Sequence, residues 1–297
     1  MGEVLWDVFP KARLLGGAPL NFAVHARNLG ADAHIVSRIG MDELGDEIAG
    51  AVERFRLSMK TVQRDPKRPT GRVNVTVDAK GQPTFEIVKN VAWDAIEETP
   101  EAQALVARAE AVCFGTLAQR SARSRATIQG LLSHARSARL KVCDINFRQR
   151  FYTREIVEAS LRAANLLKLN EDELPVLLKL VEIRANGAAS RSDVLGLMKK
   201  FDLDLVCVTL GERGAILHTR PAEIHSPGYR VKVADTVGSG DAFTAGLVVK
   251  LLAGAPQGEA LDFANLVGAY VATKAGATPV VDAEAVSAFA KGRERTG

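Results

Sequence analysis

The chain has 297 residues, 47% of them hydrophobic and 25% charged, enough for one large or two ordinary domains of a globular protein. A net charge of +4, with basic residues spread along the chain, argues against a nucleic-acid surface. No apolar run approaches the roughly 18 residues that span a bilayer, and no signal-peptide pattern opens the chain. We therefore expect a cytoplasmic protein without membrane contact.

The chain begins with MGEVLWD, in which an acidic third residue lies shortly before Asp7. A strand that ended at Asp7 would be unusually short, as expected of a chain trimmed at its N-terminus. A helix from about Asn21 to Leu29 follows, and the apolar run HIVSRIG predicts a strand after it.

Residues Thr70 to Asn90 alternate polar and apolar side chains around the turn sequence DAKGQP. This pattern predicts an antiparallel hairpin with one buried face. Such an insert in an otherwise parallel α/β protein is often a lid or an interface, although an edge hairpin of the main sheet has the same pattern.

The second half of the chain alternates short apolar runs with helical periods. Helices are expected from Ser121 to Arg139 and from Glu155 to Ala164. Near-continuous apolar strands between helices are typical of a parallel sheet buried on both faces, so we expect one main α/β domain. The three cysteines lie far apart in these runs, and we expect buried thiols in a reducing compartment. They are Cys113, Cys143 and Cys207.

The stretch DTVGSGDAF precedes an apolar helical pattern for which Gly254 is a plausible end. Gly238, Ser239 and Gly240 can present successive backbone N–H groups at the positive end of that helix, which is the geometry of an anion hole. Asp241 lies near the helix N-terminus, where an acidic residue is also favoured as a cap. Taken alone, the stretch fits a capped turn equally well. A dinucleotide loop would need glycine where Phe243 stands, and no P-loop motif is present in the sequence.

Five motifs in order resemble those of the ribokinase-like, or PfkB-type, carbohydrate kinases. The first is GGAPLNFAVHARNLGADAHIVSRIGMDELGDEI, the last is DTVGSGDAF, and DINFR, LKLNEDE and VTLGERGA lie between them. The resemblance covers essentially the whole chain. It implies a single domain over residues 1–297 with a ribokinase-like three-layer α/β/α fold and a mostly parallel central sheet. A small β lid would be formed by residues 64–92 and part of 8–17.

The resemblance also implies the reaction, in which ATP and Mg²⁺ phosphorylate a sugar hydroxyl. Asp241 would be the general base, worth about 10²–10⁴ in rate, and Gly238, Ser239 and Gly240 would form the anion hole. The family usually has Gly-Ala-Gly-Asp here, and Ser239 in place of alanine leaves the backbone donors intact.

For the nucleotide and metal, NEDE matches the family motif N-x-x-E. Asn170 and Glu173 would organise Mg²⁺ and its waters, although helix capping explains the same residues. Thr209 and Gly211 would lie beside the phosphates. Asn265 would approach the adenine, unless it is only a polar residue on a helix surface. Asp235 would belong to a loop that holds a monovalent cation such as K⁺.

For the sugar, the resemblance implies contacts from four residues, whose carboxylate, amide and guanidinium groups suit a polyol. They are Asp7, Gly17, Asn21 and Arg148. Each polar one has a plainer explanation: a strand-end turn for Asp7, a helix N-cap for Asn21 and a surface ion pair for Arg148. Ribokinases usually carry lysine where Ala18 stands, and GGAPLN is more like fructokinases. We therefore expect fructose, with 2-keto-3-deoxygluconate, ribose and nucleosides as alternatives.

Three further expectations remain open. The β insert would either cover a monomer as a lid or form half of a homodimer clasp. A non-catalytic sugar-binding regulator on the same fold is disfavoured by the intact base, glycine pair and N-x-x-E. A nicotinamide oxidoreductase is disfavoured further, because the dinucleotide fingerprint is missing.

Overall fold

The computed structural model describes residues 1–10, 12–77, 83–183 and 190–296. Its first half contains, in chain order, β1 (Leu5–Phe9), β2 (Ala12–Gly16), α1 (Ala18–Asn28), β3 (Ser37–Gly40), α2 (Glu43–Arg54), β4 (Val62–Asp65), β5 (Gly71–Val77), β6 (Pro83–Ile87), α3 (Pro100–Arg108), β7 (Ala111–Phe114) and α4 (Ala122–His134). The second half contains β8 (Leu140–Asp144), α5 (Arg154–Ala163), β9 (Leu166–Asn170), α6 (Glu173–Leu180), α7 (Arg191–Phe201), β10 (Leu205–Thr209), β11 (Ala215–His218), β12 (Glu223–Ser226), α8 (Ser239–Leu252), α9 (Gln257–Ala272) and α10 (Ala283–Ala290).

The central sheet has six strands in the order β12-β11-β10-β9-β8-β7. Strands β7 to β10 are parallel, while β11 and β12 pair antiparallel at one edge. Successive side chains alternate between two apolar clusters: Val142 and Cys207 face α8 and α9, whereas Cys143 and Val206 face the layer of α3 to α7. The expected three-layer α/β/α arrangement with a mostly parallel sheet is therefore confirmed.

The predicted hairpin is present as β5 and β6, whose turn at residues 78–82 lies outside the described residues. It belongs to a separate four-stranded sheet in the order β2-β1-β5-β6, so the interpretation as an edge of the main sheet is wrong. Asp7 lies in the middle of β1, opposite Val73 of β5, and not at a strand end. Residues 64–65, which the expected insert included, pair instead with β3 in a two-stranded sheet.

Three smaller sequence predictions need correction. The helix expected to reach Arg139 ends at His134, because Arg139 and Leu140 already donate to Glu110 O as the chain enters β8. The N-cap of α1 is Gly17, so Asn21 lies within the first turn of the helix. Cys113 is partly exposed, while Cys143 and Cys207 are buried as expected.

Among the described residues, no helix combines the length and apolar character that crossing a membrane requires.

Candidate active site

A cleft of about 850 Å³ lies between the four-stranded sheet and the carboxyl ends of the central strands. Asp7, Gly16 and Val73 line it from the sheet, and Asn170 and Thr209 line it from the ends of β9 and β10. Twelve of the predicted site residues line this one cleft. They are Asp7, Gly17, Asn21, Arg148, Asn170, Thr209, Gly211, Gly238, Ser239, Gly240, Asp241 and Asn265. Glu173 and Asp235 lie outside its wall.

The N-terminus of α8 is built on Gly238. This residue has φ +79°, and a Cβ there would lie 2.2 Å from Ala277 O, so only glycine fits. The Ser239 amide and hydroxyl both donate to Thr236 O, at 3.2 and 2.8 Å. The first hydrogen bond of α8 runs from Ala242 N to Gly238 O, so the amides of Gly240 and Asp241 precede the helical ladder. Ser239 thus fixes the turn, and the outward-facing donors are the two amides that follow it.

Asp241 is the third residue of α8 and accepts a hydrogen bond from Asn21 Nδ2 at 2.8 Å. Burial, and then the negative charge of Asp144, raise the pKa of Asp241 to about 6, while Asn21 and nearby cations act in the opposite direction. A carboxylate with this pKa is ionised at neutral pH yet is a much stronger base than an exposed aspartate. Asn21 lies four residues after Gly17, the N-cap of α1. Its side chain therefore binds Asp241 and does not cap the helix.

A buried ion pair lies beside this helix terminus, and the sequence analysis did not single it out. Lys168 Nζ is 3.1 Å from Asp144 Oδ2 and 3.2 Å from where a Cβ of Gly240 would stand. Thr244 Oγ1 donates to the same Asp144 oxygen at 3.0 Å. Burial alone would lower the pKa of Lys168, but the carboxylates of Asp144 and Asp241 raise it, so the ammonium stays charged. The available signal was Asp144 at the end of the strand-like run KVCD and Lys168 between the leucines of the run LLKLN.

The opposite side of the cleft combines acidic and basic groups. Burial raises the pKa of Asp7, and the charge of Arg148 opposes that shift. Arg148 is exposed and, within the part of the chain that the structure describes, forms no ion pair, so the surface ion pair considered for it is absent there. Gly17 has φ +110°, and a Cβ there would lie 2.5 Å from Glu3 O, which explains the glycine. Glu3, which the sequence analysis passed over, also lines the cleft.

Asn170 and Glu173 bind each other reciprocally. Asn170 Oδ1 accepts from Glu173 N at 2.8 Å, and Glu173 Oε2 accepts from Asn170 N at 2.9 Å. The second oxygen of Glu173 accepts from Phe147 N at 2.8 Å. Burial raises the pKa of this glutamate, and these amide donors oppose that shift. Glu173 therefore joins the ends of β8 and β9 below the cleft wall, while Asn170, Glu171 and Asp172 face the cleft.

Two further predicted residues have structural partners. Asn265 is buried, not on a helix surface, and its Nδ2 donates to Ser226 O and Oγ at 3.0 and 2.7 Å. Asp235 accepts from Val237 N at 3.0 Å and from Gly276 N at 3.1 Å. It therefore holds together the segments around residues 236 and 276, next to the loop for which the sequence analysis expected a monovalent cation.

A helix N-terminus whose first amides precede the helical ladder, a buried cation behind it and a carboxylate of raised pKa beside it are chemically suited to transferring a phosphoryl group to a hydroxyl. Comparison with known proteins agrees. The chain belongs to the pfkB family of carbohydrate kinases, whose family model matches residues 12–284. It is therefore a kinase that phosphorylates a carbohydrate hydroxyl, and the expected family and enzyme class are confirmed.

Similar proteins cover almost the whole chain. A fructokinase from Klebsiella pneumoniae is 29% identical over 93% of this chain and 93% of its own length. A sugar kinase from Pyrococcus horikoshii, solved in complex with ATP, is 26% identical with a TM-score of 0.78, covering 93% and 92% of the two chains. A 2-dehydro-3-deoxygluconokinase from Thermotoga maritima has a TM-score of 0.82 at 19% identity, covering 98% of both chains. The ribokinase-like fold is thus confirmed, whereas the sugar is not.

Proposed function

We propose that this carbohydrate kinase transfers the γ-phosphoryl group of ATP to a hydroxyl of fructose. The observation that carries the proposal is the position of Asp241, held by Asn21 at 2.8 Å at the start of α8 and lining one cleft with Asp7 and Arg148. Fructose is favoured by the GGAPLN motif and by the similarity to a curated fructokinase. ATP is favoured by the similar sugar kinase that was solved with ATP.

In this mechanism Asp241 takes the proton of the attacking hydroxyl while the sugar oxygen approaches phosphorus. Phosphoryl transfer needs little covalent help from the protein, so catalysis comes mainly from positioning and from stabilising charge on the phosphoryl oxygens. The amides of Gly240 and Asp241, the positive end of α8 and the buried ammonium of Lys168 supply that stabilisation. Because Lys168 is fixed by Asp144, its charge needs no reorganisation during the reaction.

The acidic residues on the side of the cleft that would bind ATP are suited to a magnesium ion that enters with the phosphates. Magnesium prefers oxygen ligands and keeps several waters. Asn170 and Asp172 carry oxygen donors at the cleft wall, and Glu173 fixes Asn170 from below. Among the described residues, no group of three or more His, Cys, Asp or Glu side chains could hold a metal alone. Asn170 and Asp172 would therefore position the ion through its waters, with Glu173 holding Asn170 in place, and the bound ion would neutralise phosphate charge.

The sugar would occupy the side of the cleft formed by Asp7, Gly17 and Asn21, with Arg148 at its edge. The four-stranded sheet covers this side and is assigned as a lid that excludes water when sugar is bound. Asp7 and Asn21 offer an acceptor and an amide to vicinal hydroxyls. Burying these polar groups in a closed site without hydrogen-bond partners costs free energy. This favours a polyol over an apolar ligand as the substrate.

The loop that Asp235 holds is assigned as a site for a monovalent cation such as K⁺. Its carboxylate bridges Val237 N and Gly276 N, so the adjoining backbone carbonyls are held in a fixed arrangement directly before the helix N-terminus. ADP release is expected to rise several-fold when KCl replaces choline chloride at equal ionic strength. Equal rates in the two salts would remove this assignment and leave the kinase reaction intact.

A coupled ADP-release assay over a panel of sugars tests the function. Fructose should be the best substrate. Asp241→Asn should lower kcat about 10²–10⁴-fold and should still bind ATP, because only the base is removed. Asp202→Asn is the matched control: its side chain is 91% exposed, and its left-handed backbone suits asparagine. That control should retain the activity of the unchanged protein.

Three other outcomes would change the proposal. Activity on 2-keto-3-deoxygluconate with inert fructose would replace the sugar and keep the mechanism. Near-normal phosphorylation by Asp241→Asn would overturn the role of the base. Sugar binding without ADP release from any sugar would favour a regulator that has lost catalysis.

A further inference from the structure

The cleft continues past the proposed sugar and phosphate sites to the outer edge of the central sheet. Strands β10 and β12 both pair antiparallel with β11, so β12 runs parallel to β10 and ends at the same edge of the sheet. Ser226 is the last residue of β12, and Gly228 and Tyr229 line the cleft directly after it. Asn265 lines the same end from α9. This end is the part of the cleft left for the base of the proposed ATP.

The Ser226 hydroxyl lies at the centre of a buried hydrogen-bond network at this end. A serine hydroxyl has one hydrogen to donate and two lone pairs that accept. Its hydrogen goes to Asp262 Oδ1, because a carboxylate only accepts. Its oxygen accepts from Asn265 Nδ2 at 2.7 Å and from Arg295 Nη2 at 3.1 Å. Ser226 is 3% exposed, and all three hydrogen-bonding positions of its hydroxyl are used.

This network fixes the orientation of the Asn265 amide. Nδ2 also donates to Ser226 O at 3.0 Å, so both of its hydrogens point at atoms of Ser226 that accept. An amide turned by half a rotation would place Oδ1 against the same two acceptors, which is unfavourable. Oδ1 has no hydrogen-bond partner among the described residues and is not fully buried, so it is open to the cleft that Asn265 lines. Asn265 therefore presents an acceptor, and not a donor, at this end of the cleft.

Arg295 connects the network to the loop after β12. Its Nη2 donates to Asp262 Oδ1 at 2.6 Å as well as to Ser226, and its Nη1 donates to the Tyr229 hydroxyl. Its guanidinium carbon lies 4.4 Å from the centre of the Tyr229 ring. Arg295 thus holds in place both the carboxylate and the hydroxyl on which the orientation of Asn265 depends.

We propose that Arg295 and Ser226 position the Asn265 amide so that its Oδ1 selects adenine over guanine in the nucleotide. The exocyclic amino group of adenine donates a hydrogen bond, whereas the corresponding oxygen of guanine only accepts. Oδ1 binds the amino group, but it leaves the guanine oxygen unpaired opposite another acceptor, which costs binding free energy. Arg295 and Ser226 are positioning residues, because they act on the base through Asn265. The inference rests on the proposed use of ATP as the phosphoryl donor.

Binding of ADP and GDP, measured by calorimetry with Mg²⁺ and without sugar, tests the selection separately from the reaction. The unchanged protein should bind ADP about 10–100-fold more tightly than GDP, since one base is paired and the other is not. Arg295→Gln should lower that preference about tenfold, the contribution of a hydrogen bond to a charged group. Backbone hydrogen bonds between residues 294–296 and residues 228–230 remain in this variant and hold the segment in place.

In the kinase assay the same variant should separate the nucleotide from the sugar. The ATP KM of Arg295→Gln should rise about tenfold, while kcat and the sugar KM stay within about twofold, because only binding of the base is weakened.

Arg293→Gln is the matched control. It removes an arginine two residues earlier, whose guanidinium carbon lies 4.6 Å from the centre of the Phe289 ring. This variant should leave the preference for ADP unchanged. Ser226→Ala removes the hydroxyl at which Arg295 and Asn265 meet. It should lower the preference in the same direction, and it decides the question if Arg295→Gln unfolds.

Combining Arg295→Gln with Asn265→Ala separates positioning from a direct contact. Asn265→Ala should remove the preference for ADP. Because Arg295 acts through Asn265, adding Arg295→Gln should then change the preference no further. Losses that multiply in the double variant would overturn the proposal, since Arg295 would then act on the nucleotide independently of Asn265.

Three other results would also overturn it. These are equal binding of ADP and GDP by the unchanged protein, an equal loss of affinity for both nucleotides in Arg295→Gln, and an unchanged preference in both Arg295→Gln and Ser226→Ala. If the unchanged protein prefers ADP but phosphorylates no sugar, the proposed function fails, while the selection of the base stands.

Discussion

Lys168 is a charged residue in a position where a strand normally carries an apolar one. It lies in β9 between two buried leucines, and its ammonium binds Asp144 behind the N-terminus of α8. A buried ion pair is weak evidence for stability, because desolvation of both ions offsets their attraction. Because Lys168 Nζ lies 3.2 Å from the Cβ position of Gly240, we infer a second role for the pair, which is to place positive charge next to the incoming phosphate.

Replacing Lys168 with Met tests this purpose. We expect kcat to fall about 10²–10³, as when a preorganised donor is removed from an anion hole, with a small change in the sugar KM. The single variant leaves Asp144 buried without its partner, which alone costs about 3–5 kcal/mol of unfolding free energy. The double variant Lys168→Met with Asp144→Asn removes that penalty, and denaturant unfolding should show recovered stability while kcat stays low.

The control for this pair is Lys179→Met, which removes an exposed lysine from α6. It should have normal kcat and normal stability. If the double variant regained normal kcat along with stability, Lys168 would serve only to neutralise Asp144, and its contribution to phosphate binding would be refuted.

At the scale of elements, the start of α8 depends on a close contact between two loops. Gly238 lies against the backbone of Ala277, and Asp235 ties the same two segments through Gly276 N. His25 Nε2 also contacts Ala277 O at 2.9 Å from α1. The helix N-terminus, the loop around residue 276 and the helix that carries Asn21 are therefore positioned as one unit.

Gly238→Ala should disrupt that unit, and Gly254→Ala is its matched control. Both glycines have nearly the same positive φ, +79° and +78°, but a Cβ at Gly254 meets nothing within 4 Å. Gly254→Ala should therefore cost about 1–2 kcal/mol of unfolding free energy from backbone strain alone, with kcat unchanged. Gly238→Ala must also displace Ala277, and a shift of about 1 Å at the reacting groups costs about 10² in kcat.

Thermal melting and steady-state kinetics on the two variants separate strain from misplacement. Equal losses of kcat in both would show that the contact with Ala277 does not position the site. Normal kcat in Gly238→Ala would show the same.

The sequence predicted the elements whose signals are local. The hairpin of β5 and β6 followed from strict alternation, and the helix from Ser239 to Leu252 followed from its apolar period and from Gly254 at its end. Twelve site residues fell on one cleft because their motifs match a family whose fold brings distant segments together.

The parts that failed depend on contacts between distant segments. The plainer explanation of Asp7, a turn at a strand end, failed because the parallel pairing of β1 with β5 extends the strand past it. The pairing of Asp144 with Lys168 depends on the register of β8 and β9, which no local pattern reveals. Glu3 lies outside all five quoted motifs, and only its burial in the cleft wall identifies it.

At the scale of the whole molecule, one face of the four-stranded sheet, the proposed lid, both covers the cleft and extends beyond it. In the strand register, Leu14 lies opposite Asp7, and Phe85 lies opposite Val75, two residues along from Val73. Side chains at these positions share the face that covers the cleft. Beyond the cleft this face is apolar and uncovered, with Leu14 42% and Phe85 51% exposed. A second copy of the chain, presenting the same face, could cover it, since closed two-fold dimers are the commonest assemblies.

We therefore predict a homodimer through the lid sheets, and Phe85→Glu should dissociate it. A stable interface of this kind buries about 1,200–2,000 Å² in total, and a charge at its apolar centre is left unpaired. Light scattering after size exclusion should report a dimer for the unchanged chain and a monomer for Phe85→Glu. Val176→Glu, which alters a 41% exposed valine on α6, should remain dimeric.

Because the same sheet covers the proposed sugar site, loss of the partner frees the lid to open. The sugar KM of Phe85→Glu should then rise several-fold, while its affinity for ATP, whose proposed site lies at the ends of β9 and β10, stays the same. A monomeric unchanged chain would refute the clasp and leave the sheet as a lid alone, and a dimeric Phe85→Glu would move the interface elsewhere.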